Sequence, residues 1–139
     1  MNMQQIMTKR IVTVELDDLL ITVKGIFDSQ KFHHLLVVES YMLCGVVSDR
    51  DLLKALSPHL GTLAATPRDE LTLNKKVHQV MTRKLVTLPP DATISEAVKI
   101  FSTQNISCIP IIDLESKPIG IVSWRDLLKA VAEKDSQVS

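Results

Sequence analysis

The sequence predicts a mixed α/β (α+β) protein built from two tandem β-α-β-β-α units. Two observations support this prediction: an internal repeat, and an alternation of short apolar runs with amphipathic helical segments. Residues 45–55, GVVSDRDLLKA, return as GIVSWRDLLKA at 120–130, with nine of the eleven positions identical. Unrelated segments of this length share fewer than about one residue, so the chain contains two copies of one unit.

The repeat continues upstream through matching dipeptides: Met7-Thr8 with Met81-Thr82, and Val12-Thr13 with Val86-Thr87. The second copy has one extra residue in the loop around 115–117, where a change of length is tolerated. We therefore divide the chain into a first unit (1–56), a connector with a short helix (57–76), a second unit (77–134) and a flexible tail (135–139). A unit of this size buries little surface alone, so we expect both copies to share one core.

The elements of the first copy follow from apolar periodicity and its interruptions. They are a strand over 10–14, a helix over 17–30, a strand over 35–38, a turn at 39–42, a strand over 43–47 and a helix over 49–56. The second copy repeats this order. Thr93 and Glu96 form a capping-box pattern at its first helix, and its later elements are strands at 109–112 and 119–122 and a helix over 125–133. In the connector, Thr66-Pro67 predicts a helix from about Pro67 to Val80.

Composition limits the partners. Sixteen basic residues balance sixteen acidic residues, so no net positive field favours nucleic acid or an anionic membrane. No apolar run approaches the roughly 20 residues that a membrane span needs. The start of the sequence lacks the pattern of a secretory signal, and we expect a cytoplasmic protein. Cys44 and Cys108 lie apart in apolar runs and are expected to be buried free thiols.

A Ser precedes an Asp by three residues in both copies, as Ser48 and Asp51 and as Ser123 and Asp126. This spacing is a helix-capping pattern, and capping alone would explain one instance. The same residue types also suit a nucleotide. A helix N-terminus attracts phosphate, a Ser hydroxyl and the neighbouring Arg (Arg50 or Arg125) can bind it, and an Asp carboxylate can accept the hydroxyls of a ribose. Both interpretations stay open at this point.

The paired pattern resembles the CBS domain, named after cystathionine β-synthase, which occurs in tandem as a Bateman module. In the second copy the resemblance rests on MTRKLVTLPPDATISEA from Met81, IPIID from Ile109 and GIVSWRDL from Gly120. In the first copy it rests on Met7-Thr8, Val12-Thr13 and GVVSDRDL from Gly45. The resemblance covers about residues 3–56 and 77–133, which is nearly the whole chain.

The resemblance implies two units paired through their sheets with pseudo-two-fold symmetry, and two clefts that bind adenosine compounds such as AMP, ATP or S-adenosylmethionine. It implies that the phosphate meets Ser48 or Ser123 and that the ribose meets Asp51 or Asp126. Further lining residues are implied at Thr13, Thr87, Leu36 and Pro110. It also implies a homodimer, and a regulatory or sensor role whose effector is another, unknown protein.

The two copies differ beside the shared Arg, where the first has Asp49 and the second has Trp124. A carboxylate next to a bound phosphate is unfavourable because like charges repel. Trp124 suits either a base or a dimer interface. We therefore expect the cleft of Ser123 and Asp126 to be the better nucleotide site.

An enzyme is not expected. His33 and His34 are neighbours on a strand and point to opposite faces, so they cannot easily share one metal ion. His59 and His78 have no partner pattern, and the sequence contains no zinc-spaced Cys pair, glycine-rich phosphate loop or Ser-His-Asp signature. We expect no catalytic cofactor. The remaining alternative is a module that dimerises and docks on a partner with both clefts empty.

Overall fold

The protein divides into two compact units that do not coincide with the two sequence copies. The computed structural model describes the backbone of residues 1–138 and the side chains of residues 1–133. The first-copy unit comprises residues 12–85, and the second-copy unit comprises residues 1–11 and 86–139. Each unit has its own hydrophobic cluster. Each unit therefore has a core of its own, because the helices of each copy close over their own sheet.

The first-copy unit contains a three-stranded sheet in the order β1-β2-β3. Its elements are β1 (Thr13–Glu15), α2 (Leu20–Ser29), β2 (His34–Glu39), β3 (Met42–Ser48), α3 (Asp49–Ala55) and α4 (Pro67–Glu70). Strand β1 is parallel to β2, and β2 is antiparallel to β3. The predicted β-α-β-β-α order of this copy is confirmed. The helix α2 begins later than predicted because Asp18 accepts a hydrogen bond from the Glu15 N–H and holds a turn before it.

The second-copy unit contains a two-stranded antiparallel sheet. Its elements are α1 (Met3–Ile6), α5 (Ile94–Thr103), β4 (Cys108–Ile112), β5 (Pro118–Ser123) and α6 (Trp124–Val138). The Thr93 half of the predicted capping box is present, since the Thr93 side chain accepts a hydrogen bond from the Glu96 N–H. The side chains of the predicted 135–139 tail, and the whole of residue 139, lie outside the described residues.

The first strand predicted for the second copy is reduced to a bridge between Leu88 and Ile111. The cause is Pro110. In the first copy the Leu36 N–H donates to the Val12 carbonyl at 3.1 Å, which forms the first rung between β1 and β2. Pro110 occupies the position equivalent to Leu36 and has no N–H, so this rung cannot form.

The connector helix predicted from Pro67 to Val80 was wrong beyond its first turn. Thr66 caps α4 as expected, but the chain continues as a 3₁₀ turn over Leu71–Asn74 and a second over Val77–Gln79. Between them, the Lys75 carbonyl accepts from the Leu20 N–H, and the Val77 N–H donates to the Asp18 carbonyl, both at 2.8 Å. These bonds hold Lys75 and Lys76 in an extended conformation that ends the helix.

The segment that opens each sequence copy packs in the unit of the other copy; we call these two stretches, 1–11 and 77–85, the exchanged segments. Met3 is fully buried in the cluster of the second copy, and Val77, its counterpart in the repeat, is fully buried in the cluster of the first. Met7 and Met81 follow the same exchange, packing against Gly120 and Gly45 respectively. Each unit thus obtains part of its core from the segment that precedes the other copy.

Candidate functional site

Ser123 and Asp126 form a reciprocal cap at the start of α6. The Asp126 N–H donates to Ser123 Oγ at 3.4 Å, and the Ser123 N–H donates to Asp126 Oδ2 at 2.9 Å. The Ser123 hydroxyl donates to the same carboxylate oxygen at 3.1 Å. Both side chains therefore cap the helix, and the 15-residue α6 places a positive dipole end at Ser123.

Ser48 and Asp51 form the corresponding cap of α3. The Asp51 N–H donates to Ser48 Oγ at 3.1 Å, and the Ser48 N–H donates to Asp51 Oδ2 at 2.9 Å. This helix is only seven residues long. Helix capping is therefore a structural role of the Ser-x-x-Asp pattern in both copies, and any ligand has to bind beside it.

Three predicted site residues of the first copy lie on one face of its sheet. Thr13 is the register partner of Leu36, so their side chains point to the same side. Ser48 lies on that side too, because it is two residues beyond Val46, the partner of Leu36 on β3. The core cluster uses the alternate positions of the same strands, among them Val14 and Val47. This face is therefore turned away from the core of the unit.

The second copy repeats this arrangement. Leu88 packs against the core of its unit, which places Thr87 on the opposite face. Pro110 and Ser123 lie on that face as well, since Ile109, Ile111 and Val122 occupy the core side. Leu36 is only 1% exposed and Pro110 is also buried, whereas Arg50 and Arg125 are exposed in the first turns of α3 and α6. The structure thus groups a Thr, a strand residue and a capping Ser in each unit.

Asp49, which replaces Trp124 in the first copy, pairs with a histidine that the sequence did not connect to it. His33 Nδ1 lies 2.9 Å from Asp49 Oδ2, and the Asp49 N–H donates to the His33 carbonyl at 3.0 Å. Burial alone would raise the pKa of the Asp49 carboxyl. The hydrogen bond from His33, the charge of His33 and the hydrogen bond from the Arg50 N–H outweigh burial, so the pKa is lowered. The sequence did contain a signal for this pair, namely the predicted hairpin of β2 and β3. A hairpin places the start of β2, next to His33, beside the end of β3, next to Asp49.

Trp124 has a neighbour inside its own unit. Its ring lies 4.8 Å from the Phe101 ring, centroid to centroid, at an interplanar angle of 36°. Trp124 nevertheless remains 43% exposed. The Phe101 contact fixes the orientation of an indole that still presents a large apolar surface beside Ser123.

Two cavities of the second-copy unit contain predicted site residues. Thr87 contributes to a cavity of about 550 Å³, and Asp126 to one of about 280 Å³. The larger is lined by Thr87, Leu88, Pro89, Pro90, Asp91, Ile112, Asp113 and Leu114. The smaller is lined by Met1, Gln5, Ile6, Asp126, Lys129, Ala130 and Glu133. Thr87 and Asp126 therefore open onto different cavities of this unit.

Both cysteines are free, as predicted, but only Cys108 is buried as expected. Cys108 is buried and burial raises its pKa to about 12, whereas Cys44 is half-buried and donates to the Val37 carbonyl. Within residues 1–133, no three His, Cys, Asp or Glu side chains converge as a metal site. No helix in the described part of the chain is long and apolar enough to cross a bilayer.

Known proteins match this chain over nearly its whole length. A protein of Methanocaldococcus jannaschii, MJ1426, is 30% identical over 94% of this chain and 91% of its own length. One similar solved structure is the CBS domain pair of protein MJ0100, in complex with 5′-methylthioadenosine and S-adenosyl-L-methionine. It superposes with a TM-score of 0.78 at 22% sequence identity, and the match covers 96% of this chain and 98% of the other. The structure of CBSX2 in complex with AMP gives the same values.

The family model of the CBS domain matches twice, at residues 3–58 and 77–133. The first match covers β1, α2, β2, β3 and α3, and the second covers α5, β4, β5 and most of α6. The chain therefore belongs to the CBS domain family, as a tandem pair of CBS domains.

Proposed function

We propose that this protein is a regulatory module that binds an adenosine-containing nucleotide and signals to a partner protein. The observation that carries the proposal is the grouping of Thr, strand residue and capping Ser on one sheet face of each unit. In the proposed complex Ser123 and Arg125 bind the phosphate and Asp126 accepts from the ribose hydroxyls. Ser48, Arg50 and Asp51 have these roles in the first copy.

The known complexes support the class of ligand. One structurally similar CBS domain pair is in complex with 5′-methylthioadenosine and S-adenosyl-L-methionine, and another is in complex with AMP. Adenosine is common to all three ligands. We therefore propose that the adenosine part binds at Thr13 or Thr87, next to the buried Leu36 or Pro110, and that the substituent at the 5′ position decides between AMP, ATP and S-adenosylmethionine.

The second copy is proposed to be the tighter site. Its Ser123 caps a helix of 15 residues, whereas Ser48 caps one of seven, and a short helix has a weaker dipole. The first copy also places Asp49 beside its Arg, where the second copy has the uncharged Trp124. Both differences favour a phosphate at Ser123.

The test is a thermal-shift panel with AMP, ATP, NAD and S-adenosylmethionine, followed by calorimetry on variants. A ligand at 100 times its Kd stabilises the folded state by about 2.7 kcal/mol, which a melting curve resolves. Asp126→Asn should weaken nucleotide binding at least about tenfold, and Asp51→Asn should have the smaller effect. No shift with any of the four ligands contradicts the proposal. Normal binding by Asp126→Asn together with no binding by Asp51→Asn reverses the ranking of the copies.

The connector offers a matched control for loss of the cap. Thr66 and Asp69 form the same reciprocal cap at α4, with the Thr66 N–H donating to Asp69 Oδ2 at 2.9 Å. Asp69→Asn therefore removes a comparable carboxylate far along the chain from either Ser-x-x-Asp segment. It should leave nucleotide binding unchanged, so any binding loss specific to Asp126→Asn reports on the ligand rather than on helix stability.

A docking module with no ligand is the second candidate, and one surface favours it. Trp124, Leu128 and Val131 lie at successive turns of α6 and are 43%, 64% and 42% exposed. An apolar stripe of this kind suits burial against another protein chain. We propose that it serves in a homodimer of a cytoplasmic protein, without a catalytic step. Sedimentation of Leu128→Lys tests this: a shift from dimer to monomer supports the stripe as the interface, and an unchanged mass contradicts it.

A further inference from the structure

The larger cavity of the second-copy unit combines an apolar wall with negative charge. Its volume of about 550 Å³ is within the range of roughly 300–1,000 Å³ that small-molecule sites occupy. The apolar wall includes Pro89, Pro90 and Leu114, and Leu114 is fully exposed. Asp91 and Asp113 also line the cavity, and none of the described residues that line it is basic. The cavity therefore suits a ligand that is partly apolar and positively charged.

The backbone of the proline-containing wall is already hydrogen-bonded. The Leu88 N–H donates to the Pro110 carbonyl at 3.2 Å, and the Leu88 carbonyl accepts from the Ile112 N–H at 3.1 Å. Pro89 and Pro90 have no N–H at all. Positions 88–90 therefore offer no free N–H donor to an anion, and this part of the wall favours a cation over a phosphate.

The first copy places a cation beside the carboxylate that is equivalent to Asp91. This carboxylate is Asp17, and Lys76 Nζ lies 3.6 Å from its Oδ1. Lys76 corresponds to Asn2 in the repeat, and the two form equivalent β-bridges with the residues just before α2 and α5. Asn2 is uncharged, and within residues 1–133 neither Asp91 nor Asp113 forms an ion pair. The second copy thus keeps the carboxylate and lacks the cation.

The turn between β4 and β5 holds the second carboxylate of the cavity. Asp113 Oδ1 accepts from the Glu115 N–H and from the Lys117 N–H, both at 2.9 Å. The ammonium group of Lys117 pairs with Glu115 instead, at 3.2 Å between Nζ and Oε2. The Asp113 carboxylate is therefore oriented before a ligand arrives, which reduces the cost of binding, and its own turn does not neutralise it.

We propose that this cavity is a second ligand site, which binds a small organic cation consisting of an ammonium or guanidinium group on an apolar body. The apolar body packs against the two prolines and Leu114. The cationic group lies beside Asp91 and Asp113, where it has the role that Lys76 has in the first copy.

This site is separate from the phosphate site proposed for the same unit. Neither Ser123 nor Asp126 lines the cavity, and Asp126 opens onto the smaller one. Thr87 is the one residue of the proposed nucleotide contacts that lies on its wall. The cation site therefore does not rest on nucleotide binding, and either proposal can fail without the other.

The experiment is an NMR titration of the intact chain with three probes that share one apolar body: 4-phenylbutylamine, 4-phenylbutan-1-ol and 4-phenylbutanoate. The amide signals of Ile112 and Leu114 report on the cavity, and that of Ser123 reports on the proposed phosphate site. We expect the amine to bind about fivefold more tightly than the alcohol, since a partly exposed ion pair contributes this order of affinity. The butanoate should bind more weakly than the alcohol, and about 1 M salt should remove most of these differences.

Asp91→Asn should bring the affinity for the amine close to that for the alcohol and leave alcohol binding unchanged. Asp17→Asn is the matched control, because the equivalent carboxylate already pairs with Lys76, and it should not affect amine binding. Leu114→Gln should weaken all three probes alike, since it removes part of the apolar wall.

Equal binding of the amine and the alcohol, or equal effects of the two Asp→Asn variants, overturns the proposal. So does the absence of binding by every probe, or a set of shifts centred on Ser123 rather than on Ile112 and Leu114. The peptide acetyl-Leu-Lys-Leu-amide is the comparison for a protein side chain. If it binds more tightly than 4-phenylbutylamine, the assignment to a small molecule is wrong.

Discussion

Met7 packs directly against the Cα of Gly120, so closely that a methyl group on Gly120 would lie 2.8 Å from Met7 Cγ and 3.2 Å from Met7 Cβ. The first copy repeats this contact between Met81 and Gly45. The glycine that opens each repeated GxVSxRD segment is therefore a packing residue, since it admits the methionine of the exchanged segment.

Gly120→Ala should destabilise the protein by about 1–3 kcal/mol, because it overpacks the contact with Met7. Rotation of the thioether cannot relieve the overlap, since the near end of the side chain is also too close. Chemical denaturation measures the change, and Met7→Ala in the same chain should recover part of it. Gly25→Ala is the control: nothing lies within 4 Å of its added Cβ, and it should stabilise α2 by roughly 0.5–1 kcal/mol. Equal effects of the two alanines would contradict the packing argument.

Tyr41→Gly should stabilise the protein by about 1 kcal/mol. Ser40 and Tyr41 form the turn between β2 and β3 with φ values of 51° and 68°, a conformation that favours Asn-Gly over residues with a bulky Cβ. Tyr41 is 78% exposed, so little packing is lost with its ring. Tyr41→Ala separates the two effects because it removes the ring and keeps the strain. A glycine variant no more stable than the alanine variant would falsify this prediction.

The ligand-free protein should lose stability as the pH falls below about 6.5, in part through His34. Burial lowers the pKa of His34 from its ordinary value of 6.5. The neutral ring is therefore favoured on folding, and the contribution is present above pH 6.5 and lost as the pH falls through the folded-state pKa. The urea midpoint of His34→Gln should decrease less between pH 7.5 and 5.0 than that of the unaltered protein. Parallel decreases would show that other groups carry the effect.

Cys108 should react with a thiol reagent much more slowly than Cys44 in the folded protein. Burial raises the pKa of Cys108 to about 12, so almost no thiolate exists at pH 8. Burial and then Glu39 also raise the pKa of Cys44, but that side chain is only half-buried. Cys44→Ala should remove the faster phase, and both thiols should react alike in urea. A fast phase that survives in Cys44→Ala would assign it to Cys108.

Local sequence signals located most of the elements correctly. The apolar runs at 35–38 and 109–112 became β2 and β4, and Thr66 and Thr93 cap the helices that they were expected to begin. These features depend on residues within a few positions of each other. Apolar periodicity and capping patterns are therefore sufficient to predict them. The same is true of the Ser-x-x-Asp pattern. Helix capping was one of its two interpretations, and the reciprocal hydrogen bonds of both caps confirm it.

The features that the sequence did not reveal depend on distant contacts. The helix expected over 67–80 ends early because Lys75 and Val77 form hydrogen bonds with the segment before α2. The His33–Asp49 pair depends on the register of a hairpin. The short helix α1 is stabilised by the burial of Met3 in the core of the other copy, which its own four residues could not indicate.

Because of the exchanged segments, neither copy has a complete hydrophobic cluster when it is expressed without the other. A cut in the connector would leave residues 12–56 without Val77 and Met81, and residues 86–133 without Met3 and Met7. Each half would then have a hole in its hydrophobic cluster, where either Val77 and Met81 or Met3 and Met7 are missing. A half-protein could fill that hole only with the equivalent segment of a second half-protein. The two copies are therefore not independent domains in series. Because they are covalently linked, each copy always has the segment that completes its hydrophobic cluster, whereas a single copy would have to obtain it from a second molecule.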